Sequence, residues 1–201
     1  MEEVLDTKVQ KSGLTLYGTF SKGFFEEWLK IVNVLPSKER IRDGLLLQIG
    51  FGIYKIVRLN TDQFRIISVN YETNPFTEFT DDLTLALWIQ SEQSRLAKDL
   101  KIEASEIRFD DKIVLAKGVF ESDNYFLQRQ DTDKKGDSGW FVGYQNQDTD
   151  DFIGMYAFEI LKKNPNLIKA LILPADYLVV VNGGVIQAIL NEQDEEVFSA
   201  S

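Results

Sequence analysis

The sequence predicts an α+β fold, antiparallel sheets with flanking helices in two closely packed subdomains. Three observations predict it. Strand-like runs follow one another around turn residues, amphipathic helical runs are interspersed with these hairpins, and the whole pattern begins again near residue 100. With 201 residues, 44% hydrophobic and 12% aromatic, the chain suffices for a packed core in one large or two small domains. The boundary is placed near 100–108, which gives residues 1–104 and 105–201. Because no Gly/Pro/Ser-rich linker separates them, the two parts are expected to pack together, and no internal repeat is present.

After a polar lead, Leu14 to Phe20 alternates like a strand, and Ser21 is placed to cap a helix over 22–34. Phe24, Phe25, Trp28, Leu29 and Val32 share one face of that helix and are assigned to the core. Pro36 to Glu39 opens a short helical turn. Three sequential strands follow, Leu45–Ile49, Ile53–Leu59 and Phe64–Val69, the last two joined by Asn60-Thr61-Asp62-Gln63, so an antiparallel meander is expected. Gly50-Phe51-Gly52 lacks the further glycine, the Lys-Ser/Thr pair and the following helix of a phosphate loop and reads as a turn or a bulge. Asp81 and Asp82 suit the start of a second helix whose buried side is Leu85, Trp88, Ile89 and Leu96.

In the second half, Ile113–Ala116 and Tyr125–Gln128 read as short strands. Arg129 to Gly139 reads as a polar loop leading into the strand Trp140–Tyr144. Asp148, Asp150 and Asp151 precede Phe152, Ile153, Tyr156, Ile160 and Leu161, which are assigned to a third helix ended by Asn164-Pro165. Tyr177–Val181 and Val185–Leu190 flank Asn182-Gly183-Gly184, a hairpin signal because Asn and Gly tolerate the positive φ of a tight turn.

Composition excludes several chemistries. The chain has no histidine and no cysteine. Without them there is no Ser-His-Asp or Cys-His nucleophile, no zinc site of the usual ligands, no haem and no cysteine-ligated cluster. Carboxylate, lysine or tyrosine chemistry, a hard cation on oxygen ligands, or a purely binding role remain, and the reading adopted is a protein that is not an enzyme and uses no cofactor or metal. The acidic start lacks a secretory signal and no apolar run approaches a membrane span, so a cytoplasmic address and no membrane partner are expected.

The net charge is −10, and residues 104–201, with 17 Asp/Glu against 9 Lys/Arg, carry −8 of it. Such a field repels nucleic acid and speeds association with basic partners. Asp131-x-Asp133-x-x-Gly136 resembles the opening of a calcium loop, but Lys135 and Val142 stand where oxygen ligands are needed. Asp148-Thr149-Asp150-Asp151 fits a hard cation, one half of a glycosidase-like carboxylate pair, or the N-cap of the third helix. Trp28 and Trp88 are assigned to the core, whereas Trp140, directly after a solvent-type loop, fits either a loop anchor or a recognition hot spot.

The segment from Lys112 to Gln187 contains Asp137-Ser138-Gly139-Trp140-Phe141, Gly143, an acidic cluster, Asn164-Pro165-x-Leu167-Ile168 and Leu173-Pro174 before the last hairpin. In these it resembles the immunity protein 33-like domain family. The resemblance implies a small acidic bacterial protein of the kind that neutralises toxins of polymorphic or contact-dependent secretion systems. On that reading the chain binds a cognate, basic protein toxin, a nuclease being the class the charge suggests, and occludes its active site. The candidate partner-binding residues are Asp131, Asp133, Asp137, Trp140, Tyr144, Asp148, Asp150 and Asp151. The competing readings are a hydrolase with paired carboxylates and a non-catalytic scaffold or regulatory module.

Overall fold

A computed structural model describes residues 3–200. The elements in chain order are β1 (Val4–Lys11), β2 (Leu14–Ser21), α1 (Phe25–Val34), β3 (Leu46–Ile49), β4 (Gly52–Asn60), β5 (Gln63–Val69), β6 (Phe79–Thr80), α2 (Thr84–Leu100), β7 (Lys112–Ala116), β8 (Asn124–Arg129), β9 (Asp137–Tyr144), β10 (Phe152–Tyr156), α3 (Ile160–Lys163), β11 (Leu178–Asn182), β12 (Val185–Leu190) and β13 (Glu196–Ser199), with short 3₁₀ turns between them. The fold is α+β, with two sheets. Its chain contacts divide it into Met1–Ser91 and Glu92–Ser201, a division that falls inside α2.

In the first unit the sheet order is β1-β2-β5-β4-β3, with β6 added on β5. The expected meander of β3, β4 and β5 forms, its first turn at Gly50-Phe51, where Gly50 has φ +56°. The supposed polar lead is itself a strand. β1 pairs with β2 along its whole length through the turn Ser12-Gly13, both residues at positive φ. The sheet is mixed rather than antiparallel, because β2 lies parallel to β5.

The core of this unit forms where β2 points Leu14, Leu16 and Phe20 to one side, all buried. Gly18, on the same side, leaves room for the Trp28 indole of α1, since a Cβ there would come 2.9 Å from the ring. The buried face of α1 is Trp28, Ile31 and Val32, whereas Phe25, expected in the core, is 41% exposed.

The second unit holds a seven-stranded mixed sheet, order β10-β7-β9-β8-β11-β12-β13, in which only β7 and β9 are parallel. The expected β11–β12 hairpin turns at Gly183-Gly184, φ +58° and +73°. Phe152–Tyr156, assigned from sequence to a helix, is the edge strand β10. It pairs with β7, and helix is confined to Ala157–Lys163. Gly154 in mid-segment disfavours helix, and β7 offers an open edge whose hydrogen bonds an isolated helical turn does not match. Asp148, Asp150 and Asp151 therefore precede a strand and cap no helix.

One face of the sheet is the core. Ile113, Leu115, Tyr125, Leu127, Trp140, Val142, Val179 and Val181 are all buried there. The 3₁₀ turns Pro165–Leu167 and Ala170–Ile172 lie on that side, and the Trp140 indole Nε1 donates to the Leu171 carbonyl at 3.0 Å.

Candidate functional site

The opposite face of this sheet follows from the strand period of two. As Trp140 and Val142 of β9 point inward, Phe141 and Gly143 point outward. On β8 the outward residues are Phe126 and Gln128, on β7 Val114 and Ala116, on β11 Leu178 and Val180. Register brings them into a row. Phe152 of β10 lies opposite Ala116, Val114 beside Phe141, Gly143 opposite Phe126, and Phe126 opposite Val180.

Three rings run across the face. Phe126 and Phe141 are 5.9 Å apart, and Phe141 meets Phe152 edge-on at 5.7 Å. Gly143 is the floor beneath the first two, where a Cβ would stand 2.7 Å from both rings, so only glycine lets them lie down over the strand. Phe152 is 49% and Val114 42% exposed. These two residues leave apolar surface open to solvent on this face.

Three shallow depressions line up along this surface. The first, about 460 Å³, is bounded by Val114, Phe141 and the acidic loop of Asp131, Asp133 and Asp137. The second, about 350 Å³, lies among Phe126, Phe141, Phe152 and Tyr144 and is rimmed by Asp148 and Asp150. The third, about 450 Å³, has Phe126, Gln128, Gln145, Leu178 and Val180 as its lining. Phe141 is common to the first two and Phe126 to the last two, so they form one continuous strip with acidic loops along one part of its margin.

The sequence-derived candidates thus fall around this strip. Asp131, Asp133, Asp148 and Asp150 are exposed. Asp151 pairs with Lys117 at 3.0 Å, both side chains more than 60% exposed, a contact worth little in water. The Tyr144 hydroxyl donates to the Lys117 carbonyl at 2.9 Å, which ties the 117–118 turn to β9. Trp140 is 1% exposed and supports the strip from beneath. The aromatic residues Phe126, Phe141 and Phe152 were not singled out from the sequence. The available signal was that β8 and β9 carry large apolar side chains on both faces, which in an antiparallel setting marks a second face that wants a cover.

Asp137-Ser138-Gly139, read from sequence as the end of a loop before the strand at Trp140, already belongs to β9 and builds a bulge against β7. Asp137 Oδ1 accepts the Gly139 N–H at 3.0 Å. Ser138 Oγ donates to the Lys112 carbonyl at 2.7 Å and accepts the Trp140 N–H at 3.1 Å. Gly139 sits at φ +74°, with a Cβ position 2.1 Å from the Gln130 carbonyl oxygen.

Behind the bulge is Arg129, also read as loop and in fact buried at the end of β8. Its guanidinium donates to four backbone carbonyls, those of Ser138, Leu171, Leu173 and Glu106. Burial lowers its pKa, and the charges of Asp111 and Asp131 partly oppose that shift. Asn164 does similar work at the other end, donating to the Tyr125 hydroxyl at 2.9 Å and the Gly184 carbonyl at 2.7 Å while its Oδ1 receives the Asn166 N–H. These motif residues hold the strip's scaffold in register.

Among the described residues no group of three or more His, Cys, Asp or Glu is placed to hold a metal ion, and no helix is long and apolar enough to cross a membrane. The second unit is thus α+β, with a ring-lined sheet face and acidic loops at its margin. The family model of the Imm33-like domain matches residues 92–192, half of the chain, and the protein belongs to that immunity-type family. The match coincides with the second unit and contains the bulge, Arg129, Asn164 and the strip. No curated protein and no solved structure matches the chain significantly.

Proposed function

We propose that the chain is a cytoplasmic immunity protein that holds a cognate toxin against the outer face of the seven-stranded sheet and blocks the toxin's active site sterically. The observation that carries this reading is the row of half-buried Phe126 and Phe141 and exposed Phe152 on the outer sheet face, bordered by two acidic loops. Rings desolvated on contact supply slow dissociation, since aromatic anchors near the centre of an interface carry much of its energy. The acidic margin supplies speed and sign. Residues 92–201 hold 20 Asp/Glu against 12 Lys/Arg, a net of −8, which steers a basic partner such as a nuclease with its phosphate-binding cleft.

The test is association and dissociation kinetics with the toxin, taken as the product of the adjacent gene, between low and physiological ionic strength. Association is expected to slow steeply with salt, because attraction between exposed charges is screened beyond ~8–10 Å. Asp148→Asn, Asp150→Asn and Asp151→Asn together reproduce the slowing at low salt. Phe152→Ala leaves association nearly unchanged and speeds dissociation by roughly tenfold or more, the effect of losing ~1.4 kcal/mol or more. An association rate indifferent to salt and to the triple substitution removes the steering, and unchanged dissociation in Phe152→Ala removes the strip from the interface.

A further inference from the structure

A cavity of the first unit lies outside the part of the chain that the family model matches. It measures about 500 Å³, within the range of small-ligand sites, and opens between the end of β5, the segment after it and the first turns of α2. Trp88, expected from sequence to be core, is only partly buried and is one of its walls, with Phe24 and Leu85. The charged groups of the lining are Glu72 and Asp82, and it holds no Lys or Arg.

Neither carboxylate, both of them exposed, is paired with a cation among the described residues. Asp81 has Arg65 at 3.7 Å, but Asp82 has no cationic partner among the described residues: its Oδ1 takes the N–H of Thr84 at 2.9 Å and the Thr84 hydroxyl, and its Oδ2 makes no hydrogen bond to them. By accepting from Thr84 it also satisfies the start of α2, so the helix end offers the cavity no site for an anion. The Glu72 side chain makes no hydrogen bond or ion pair among the described residues; its backbone N–H donates to Asn70 Oδ1 at 3.1 Å.

We propose that this cavity binds a cation carried on an apolar stem, an alkylguanidinium or alkylammonium group of the kind that ends an Arg or Lys side chain. The two carboxylates supply the charge complement, the faces of Trp88 and Phe24 receive the cation and its methylenes, and Leu85 lines the path of the stem. An anion meets two like charges, and a neutral alkyl group leaves both carboxylates without a counterpart.

The three tryptophans make the test local. Trp28 and Trp140 are 0% and 1% exposed, so of three indole N–H signals only that of Trp88 reports on the cavity. The full-length protein, ¹⁵N-labelled, is titrated with n-butylguanidinium, n-butylammonium, acetyl-arginine methylamide and, as neutral isostere, 1-butanol. The Trp88 signal is expected to move saturably with the cations and not with butanol, while the other two stay. Glu72→Gln and Asp82→Asn, the latter keeping the capping oxygen, each weaken binding by roughly three- to tenfold, the range for losing one partly exposed charge partner.

Tighter binding of the capped arginine than of butylguanidinium identifies a partner's side chain as the source. Equal binding identifies the free cation. Absence of a saturable Trp88 shift, an equal response to butanol, or affinity unchanged in Glu72→Gln overturns the proposal. The unmoved Trp28 and Trp140 signals certify that the variants are folded.

Discussion

Replacing Arg129 tests whether the second unit is organised around a buried cation held by backbone alone. Arg129 is 9% exposed as a residue, and among the described residues no carboxylate lies within ion-pair distance of its guanidinium, which donates from Nε to Ser138 O at 3.1 Å, from Nη1 to Leu171 O at 3.3 Å and Leu173 O at 2.8 Å, and from Nη2 to Glu106 O at 2.9 Å. Arg129→Met keeps the stem and removes the fork. Four carbonyls lose the Arg129 donor, of which that of Leu171 keeps the Trp140 indole N–H at 3.0 Å, so three are left without a side-chain donor. At ~1–3 kcal/mol for each buried group left unpaired, and with part of the loss offset because a guanidinium no longer has to be desolvated, the cost is ~3–5 kcal/mol.

Arg129→Lys is the sharper variant. It keeps the charge, but a single ammonium cannot reach carbonyls arranged around a planar fork, so a loss of ~2–4 kcal/mol is expected. Urea denaturation followed by the Trp140 indole signal and by far-ultraviolet circular dichroism measures both. Retention of wild-type stability within ~1 kcal/mol by Arg129→Lys refutes the reasoning, because charge alone would then suffice.

Two further outcomes follow from the same geometry and from burial in the first unit. Gly139→Ala combines φ +74° with a Cβ 2.1 Å from a backbone oxygen and is expected to cost more than ~3 kcal/mol, whereas Gly136→Ala, at φ +80° with nothing within 4 Å, costs only the ~1–2 kcal/mol of left-handed strain; thermal denaturation of the pair separates steric from conformational cost. Burial pushes the phenols of Tyr54 and Tyr71 well above their ordinary value, so the folded state binds protons that the unfolded state releases above pH ~10. Stability from these groups is complete below that pH and declines as pH rises beyond it; the urea midpoint of the first unit's transition should fall between pH 9 and 11.5, and Tyr54→Phe should lessen the fall.

The elements legible in the sequence were those whose local pattern and tertiary role agree. β3 to β5 and the β11–β12 hairpin alternate cleanly and are punctuated by Gly50 and by Gly183-Gly184. β1 and β13 escaped because they are edge strands, and edges carry polar residues on both faces. β10 was misread because Phe152, Ile153, Tyr156, Ile160 and Leu161 satisfy helical spacing across what is a strand followed by a helical turn, and its pairing with β7 overrides propensity. Of the site, the acidic loops were visible as charge runs. The ring row was not, because Phe126, Phe141 and Phe152 come from three separate strands and meet only through register. Arg129 looked like a loop residue since nothing local reveals that four carbonyls converge on it.

Gly143 carries a consequence for how this surface can change. With the rings lying over a bare strand, the strip is a veneer: it rests on the sheet without interlocking with the Trp140–Arg129 core on the far side. Side chains at 126, 141 and 152 can therefore be exchanged for others of different shape while the unit keeps its fold. Under the proposed function, one scaffold is re-addressed to different binding counterparts by substitutions confined to a single sheet face, with inheritance of the fold and choice of counterpart written on opposite sides of the same strands.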